Sequence, residues 1–328
     1  MLLSSGRENQ MKARTRELCA LVLLRLRRSG VVRPVQVVFL CLMVSIAACG
    51  TTSDTEPGSD VVSTQGSKKV GQIVSLVPSL AELVVTIGAE ELLVARTDYD
   101  THPAIADLPS VGGGLDPSLE ALVELDVDVV LMPEGEDMPA LAARLGGLGI
   151  SAVGFRTETV DDLYDSIERL GVLVDRTGPA QRLSDDIAQR LANISQVIGD
   201  RPPVSVMYVI WSDPPMTTAA GSYIDELISI AGGYNVFSDS PMRWPTVGYE
   251  SIVRRNPSVI IWPKGDDSEL TLDAVKDMPG WRDLEAVQRG RVVFVDSDRF
   301  NRPGPELADA AMDLARALHP TAFGSSTP

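Results

Sequence analysis

The side chains best suited to chemistry in this sequence are aromatic or charged rather than nucleophilic. His102 and His319 are the only 2 histidines, and Pro320 sets His319 at the end of a closing helix, far in sequence from His102. Such a pair gives a transition metal too few ligands, and no metal site is expected. Cys19, Cys41 and Cys49 all lie at or before position 49, so the remaining chain offers neither disulfide nor thiol chemistry. The sequence contains no Gly-x-Ser-x-Gly elbow, no Gly-Lys phosphate loop and no His-Glu-x-x-His. Gly112-Gly113-Gly114 lacks the third glycine of a dinucleotide fingerprint and reads as a loop. Carboxylates abound, but none has a context that separates it from a solvated surface. Catalysis is therefore not expected, and a binding role is.

What stands out instead are aromatic and amphipathic residues in turn-rich loops. Trp211 and Met216 lie in Trp211-Ser212-Asp213-Pro214-Pro215-Met216-Thr217, and Trp244 lies in Ser240-Pro241-Met242-Arg243-Trp244-Pro245. Asp298, Arg299, Phe300 and Arg302 follow the apolar run Arg291 to Val295, and Tyr99 sits in the loop 97–114. Each alone reads equally as a packing aromatic or a surface charge. Of the 4 tryptophans, however, two occupy such loops. Those loops leave the carboxyl ends of expected strands, where open α/β sheets hold ligands.

The elements that must position them are strands alternating with helices. Val127 to Met132 is apolar on both faces, as a parallel strand covered by helices requires. Gln72 to Leu76, Leu92 to Arg96 and Ser151 to Phe155 supply further short strands. Helices are expected from Pro78 (with Ser79 as N-cap and Gly88 as the stop), from Asp116, over Met138 to Leu148 and over Val160 to Leu173. A second half restates the plan. Its strands are Val204 to Trp211, Ser258 to Trp262 and Arg291 to Val295, and its helices are Ser222 to Ala231, Tyr249 to Asn256 and Glu306 to Leu318. Between the halves, Gly178 to Asp200 carries Leu183, Ile187, Leu191, Ile194 and Ile198 at helical spacing. The expected fold is α/β: two Rossmann-like lobes with central parallel sheets, joined by one long helix, with a ligand cleft between them. That helix is expected to act as a strut that limits lobe closure.

Charge adds a compartment. The chain has 29 Lys+Arg against 45 Asp+Glu. Upstream of Cys49 stand eight basic and two acidic residues, so the remainder carries 21 basic and 43 acidic residues, net −22. Such a surface repels phosphate backbones and excludes nucleic acid. The basic start precedes the apolar run Val35 to Val44 and then Ile46-Ala47-Ala48-Cys49-Gly50, which resembles the bacterial lipobox. Cys49 is expected to be lipidated, and a thioether diacylglycerol with an acylated amine would anchor stably. A single-span anchor with an incidental Cys is the alternative, and Met11 competes with Met1 as the start. The expected organisation is a signal peptide over 1–48, a lipidated tether over 49–69 and an N-terminal lobe over 70–176. A bridging helix over 177–200, a C-terminal lobe over 201–322 and a tail over 323–328 complete it.

From Val70 to Leu318 the chain resembles the substrate-binding proteins of ATP-driven importers for vitamin B12, ferric siderophores and haem. The resemblance rests on Ile73-Val74-Ser75-Leu76-Val77-Pro78-Ser79 with Glu82, on Val111-Gly112-Gly113-Gly114 to Glu120, and on Val127-Asp128-Val129-Val130. In the second half it rests on Ala231-Gly232-Gly233-Tyr234-Asn235-Val236-Phe237 and on Gly290-Arg291-Val292 leading to Asp296-Ser297-Asp298. The resemblance implies a monomeric, lipid-anchored, extracytoplasmic binding protein that works with an ABC permease and ATPase and carries no cofactor. It also implies that Glu120 and Glu250 pair with arginines of the permease. The vitamin B12 branch is the most similar. On that resemblance Tyr99, Trp211, Met216, Trp244 and Phe300 cover a corrinoid ring, while Asp298 and Arg302 bond its peripheral amides. Two departures stand against it. Met216 replaces an aromatic residue, and Gly114 stands where that branch has a pocket tryptophan. A ferric siderophore or haem is the alternative ligand, with Tyr99 or His102 as the axial group for haem. An extracellular enzyme or a sensor is the rival class.

Overall fold

The computed structural model describes residues 70–135, 138–265 and 268–324. The expected leader, the lipidated Cys49 with its tether, and positions 325–328 of the tail lie outside the described residues.

In the first lobe, β1 (Ile73–Ser75) is wholly buried, and α1 (Pro78–Thr86) follows it with Pro78 in its first turn. Ser79 is not the N-cap. Proline suits the first helical position, where its missing N–H is not needed, so the helix starts one residue before Ser79 and Val77 takes the cap without a side-chain bond. Ser75 braces that turn instead, donating to the Val77 carbonyl (2.7 Å) and accepting from the Val77 N–H (3.2 Å). Gly88 ends the helix at φ +73°, in the region glycine adopts without strain. Then come β2 (Leu93–Ala95), α2 (Leu119–Glu124), β3 (Val129–Pro133), α3 (Met138–Gly147), β4 (Ser151–Phe155) and α4 (Val160–Leu173). Ser118 caps α2 at the Ala121 N–H, and Thr159 with Asp162 forms a capping box on α4. The sheet order is β2-β1-β3-β4, all parallel.

Helix α5 (Thr177–Ile198) is the connecting element, 22 residues long, or about 33 Å at 1.5 Å per residue. Its buried stripe is Ala180, Ile187, Leu191, Ile194 and Ile198, four of the five positions expected from the spacing, with Leu183 half-buried at its edge.

The second lobe runs β5 (Val204–Tyr208), the two-residue strands β6 (Trp211–Ser212) and β7 (Pro215–Met216), and α6 (Tyr223–Ile230). It continues with β8 (Gly233–Asn235), α7 (Tyr249–Arg255), β9 (Val259–Lys264), α8 (Leu272–Asp277), α9 (Glu285–Gln288) and β10 (Val292–Asp296). Helices α10 (Ser297–Phe300) and α11 (Leu307–Leu318) complete it. The strand expected to reach Trp211 stops at Tyr208, and Trp211 opens the β6–β7 hairpin instead. The main sheet is β10-β9-β5-β8, again all parallel. Numbered within each lobe, both sheets have the order 2-1-3-4. The lobes are thus two copies of one plan.

A single apolar cluster joins them. It includes Ile73 and Leu131 of the first lobe, Ile187 and Leu191 of α5, and Val206, Ile224 and Leu314 of the second lobe. Arg190 on α5 pairs with Asp309 on α11. At the far end of α5, Gly232 (φ +78°) packs so tightly that a Cβ would sit 2.6 Å from His319 Nε2 and 2.7 Å from Ile198. His319 Nε2 bonds the Gly232 carbonyl at 2.9 Å, so this histidine serves packing.

Candidate ligand cleft

Loops leaving the carboxyl ends of the two sheets meet in two polar clusters, and the cleft lies with them. The first cluster is built around Arg302. Its guanidinium bonds Glu82 Oε1 (3.2 Å), Asp298 Oδ1 (3.0 Å) and the Tyr99 carbonyl (3.1 Å). Thr101 Oγ1 donates to Asp298 Oδ2 at 3.0 Å. Glu82 and Tyr99 belong to the first lobe, so these bonds span the cleft. The Arg302 and Glu82 side chains are 18% and 19% exposed. Desolvation holds the Glu82 carboxyl above its ordinary range, Arg302 opposes that shift, and Asp100 and Glu306 add to it.

The second lobe holds Arg302 from below. Asp296 caps α10 through the N–H groups of Asp298 (2.8 Å) and Arg299 (3.3 Å). Tyr208 donates its hydroxyl to Asn301 Oδ1 (2.9 Å), and Tyr223 donates to the Phe300 carbonyl (3.1 Å). Burial raises the pKa of both phenols, which keeps them protonated donors. Phe300 is a correction to the expected site. It is 2% exposed and belongs to the core shared by the lobes. Asp298 and Arg302, four apart, share one face of this turn, and the residue midway between them points to the other. Arg299 also turns away, pairing with Glu306 (3.0 Å) and Asp313 (2.8 Å).

The second cluster is built around Glu158, in the β4–α4 loop of the first lobe. Its Oε2 accepts from the Trp244 indole (3.2 Å) and pairs with Arg243 (2.9 Å). Its backbone carbonyl accepts the Tyr223 N–H at 2.7 Å. Trp244 meets the Tyr223 ring edge-on, with 6.4 Å between centroids. Neither Glu82 nor Glu158 was singled out from the sequence as a ligand-site residue. Only Glu158, three residues past β4, has a positional signal, since Glu82 stands inside α1, and their partners are 220 and 86 residues away.

Trp211 and Met216 face each other across the hairpin, and Met216 bridges to Thr246. Bonds from Thr217 N–H to the Pro245 carbonyl (3.0 Å) and from Val247 N–H to the Pro215 carbonyl (2.8 Å) tie the hairpin to the Trp244 segment. Directly paired residues share a face, so Trp211 and Met216 form one apolar platform. Trp211 and Tyr99 are each 64% exposed, unusually bare for aromatics of their size. Gly113 lies beside Tyr99, and a Cβ there would sit 3.8 Å from its ring. A Cβ on Gly114 would lie 2.4 Å from the Leu76 carbonyl oxygen. The backbone approaches too closely there for any side chain.

Glu120 and Glu250 lie outside both clusters. Both are exposed, and neither forms an ion pair among the described residues. Each is the second residue of its helix, α2 or α7, and each helix joins strand 2 to strand 3 of its lobe. They occupy equivalent points of the repeated plan. Two surface hollows, about 400 and 560 Å³, flank α4 and contain none of the cleft residues named above. Among the described residues no group of His, Cys, Asp or Glu could hold a metal, and no helix is long and apolar enough to cross a membrane.

Residues 73–299 match the family model described as periplasmic binding protein. The chain belongs to that family. It is a substrate-binding protein of the class that serves ABC importers, not an enzyme. Over 249 residues it is 28% identical to the vitamin B12-binding protein of Vibrio cholerae serotype O1, covering 75% of this chain and 88% of the relative. Over 283 residues it is 26% identical to an uncharacterized ABC transporter substrate-binding lipoprotein of Bacillus subtilis strain 168, covering 83% and 86%. The crystal structure of the periplasmic vitamin B12 binding protein of Vibrio cholerae aligns with a TM-score of 0.66 at 27% identity, covering 78% of this chain and 99% of that one. The two-lobed α/β plan with a helical backbone is the plan of such periplasmic binding proteins.

Proposed function

We propose that this protein captures cobalamin or a related corrinoid between its lobes and passes it to the permease of an ABC importer. It does so as a monomer held to the outer face of the cell membrane through Cys49. One observation carries the choice of ligand: the cleft offers bare aromatic surface but no spare positive charge among the described residues. Arg302 is matched by Glu82 and Asp298, Arg243 by Glu158, and Arg299 by Glu306 and Asp313. A catecholate siderophore carries several negative charges and would need unmatched cations. A corrinoid presents a broad apolar face with a fringe of neutral amides. It can lie on Tyr99, Trp211, Met216 and Trp244 while Asp298 and Arg302 bond the fringe. The vitamin B12-binding relatives support the same ligand. The alternative is haem. Tyr99 is exposed enough to serve as an axial oxygen, although the two propionates of haem would again want free cations.

Titration calorimetry with cyanocobalamin tests this reading. Saturable binding with one ligand per chain is expected. Absence of binding at micromolar ligand, together with a Soret shift on adding hemin, would replace corrinoid by haem.

Glu120 and Glu250 are proposed as the docking contacts for the permease. Their support is exposure, the absence of an internal ion-pair partner among the described residues, and their matching places in the two lobes.

A further inference from the structure

We infer that Glu158 is a positioning residue: held rigidly on the first lobe, it reaches across the cleft and sets the orientation of Trp244 on the second. The inference rests on the reading that Trp244 lines the ligand site. The mount is firm. Asp162 Oδ2 accepts from the N–H groups of Glu158 (3.2 Å) and Thr159 (3.0 Å), and the Thr159 hydroxyl oxygen accepts in turn from the Asp162 N–H (3.1 Å). Arg156 pairs with Asp162 at 3.2 Å. The Glu158 carbonyl is itself tied to the second lobe by the Tyr223 N–H.

An indole has two side-chain torsions and one donor. Here the donor is taken by the Glu158 carboxylate and the ring edge is met by Tyr223, so both torsions are constrained. A charge-assisted bond is stronger than a neutral one, and Arg243 on the same oxygen holds the Glu158 side chain in place. The acceptor lies on the opposite lobe, so the angle of the tryptophan face is tied to the separation of the lobes. Ligand stacked on Trp244 would therefore be held best at one lobe spacing, and the affinity gain comes from preorganisation rather than from a contact by Glu158.

The test isolates Trp244 optically. In a Trp211→Phe background the other two tryptophans, Trp262 and Trp281, are buried, so iodide quenching reports Trp244. Without ligand, Glu158→Ala should increase quenching and shift the emission maximum. Glu158→Gln should recover much of the wild-type behaviour, because its amide oxygen still accepts the indole N–H. In the otherwise native chain, Glu158→Ala should weaken cyanocobalamin binding by about three- to tenfold, the range for losing a half-exposed charge-assisted bond. The same change should have little effect once Trp244→Phe has removed the residue it orients. Unchanged quenching, or equal losses with and without Trp244, would overturn the inference. If Trp244→Phe leaves cyanocobalamin affinity intact while Glu158→Ala still frees the indole, the positioning role stands and the ligand assignment fails.

Discussion

On one flank of the cleft the loop after strand four of the second lobe reaches over with a cation, Arg302. On the other flank the loop after strand four of the first lobe reaches over with an anion, Glu158. Each grips the segments that follow strands one and two of the opposite lobe: Arg302 holds Glu82 of α1 and the Tyr99 carbonyl, and Glu158 holds Tyr223 at the start of α6, Arg243 and Trp244. The topology is repeated and the polarity is inverted. The repeat dictates where a cross-lobe contact can form, whereas the loop side chains decide its sign, and opposite signs on the two flanks leave every cleft arginine matched. The flanks differ again in aromatic content, since only the Glu158 flank ties its bond to a tryptophan. The Arg302 flank ties the lobes together through side chains and one carbonyl, and the Glu158 flank also fixes an indole.

The sharpest way to break the symmetry of the lobes is at their outer glutamates. Glu120→Arg combined with Glu250→Arg is expected to abolish corrinoid uptake in cells while cyanocobalamin affinity stays unchanged, and each single change should reduce uptake less than the pair. Uptake that survives the double change would remove both residues from docking. The next effect tests the correction at Phe300. Phe300→Ala should cost about 3–5 kcal/mol of stability, as for other buried aromatic truncations, read as a lowered midpoint in urea. Lost affinity with unchanged stability would return Phe300 to the cleft. The smallest effect separates the two flanks by pH. Glu82 binds its proton more tightly in the folded protein than in the unfolded chain. Its contribution to stability is therefore full below the ordinary value of 4.5 and is lost as pH rises through its raised folded value. Measured against Glu82→Gln, wild-type protein should lose melting temperature across that window. A difference that is flat with pH would mean that water reaches Glu82.

The repeated plan was legible in the sequence because it is written in local patterns. Ser151 to Phe155 and Val160 to Leu173 were read to the residue, and α5 to within two residues at either end. Strand β8 carries no such mark: it is three residues long, and its residues Gly-Tyr-Asn bury the glycine and asparagine while exposing the tyrosine, the reverse of an apolar-inward alternation. The loop aromatics Trp211 and Trp244, with Met216, stand out in the sequence because they sit among prolines, where a core element cannot run. Phe300 looked the same by composition, and only the rotation of a single helical turn turned it inward. The carboxylates that complete the clusters could not be found that way. Glu82 and Glu158 acquire their roles from partners in the other lobe, and no periodicity encodes a contact of that range.

The apolar cluster that runs from Ile73 through Ile187 and Leu191 to Val206 and Leu314 makes the lobes dependent on each other for survival as well as for binding. Neither half owns a complete interior. A chain cut after Asp200 would leave each fragment with an uncovered greasy face, so the halves are expected to melt together in one cooperative transition. Each half also needs the other before it can resist proteolysis in the cell envelope.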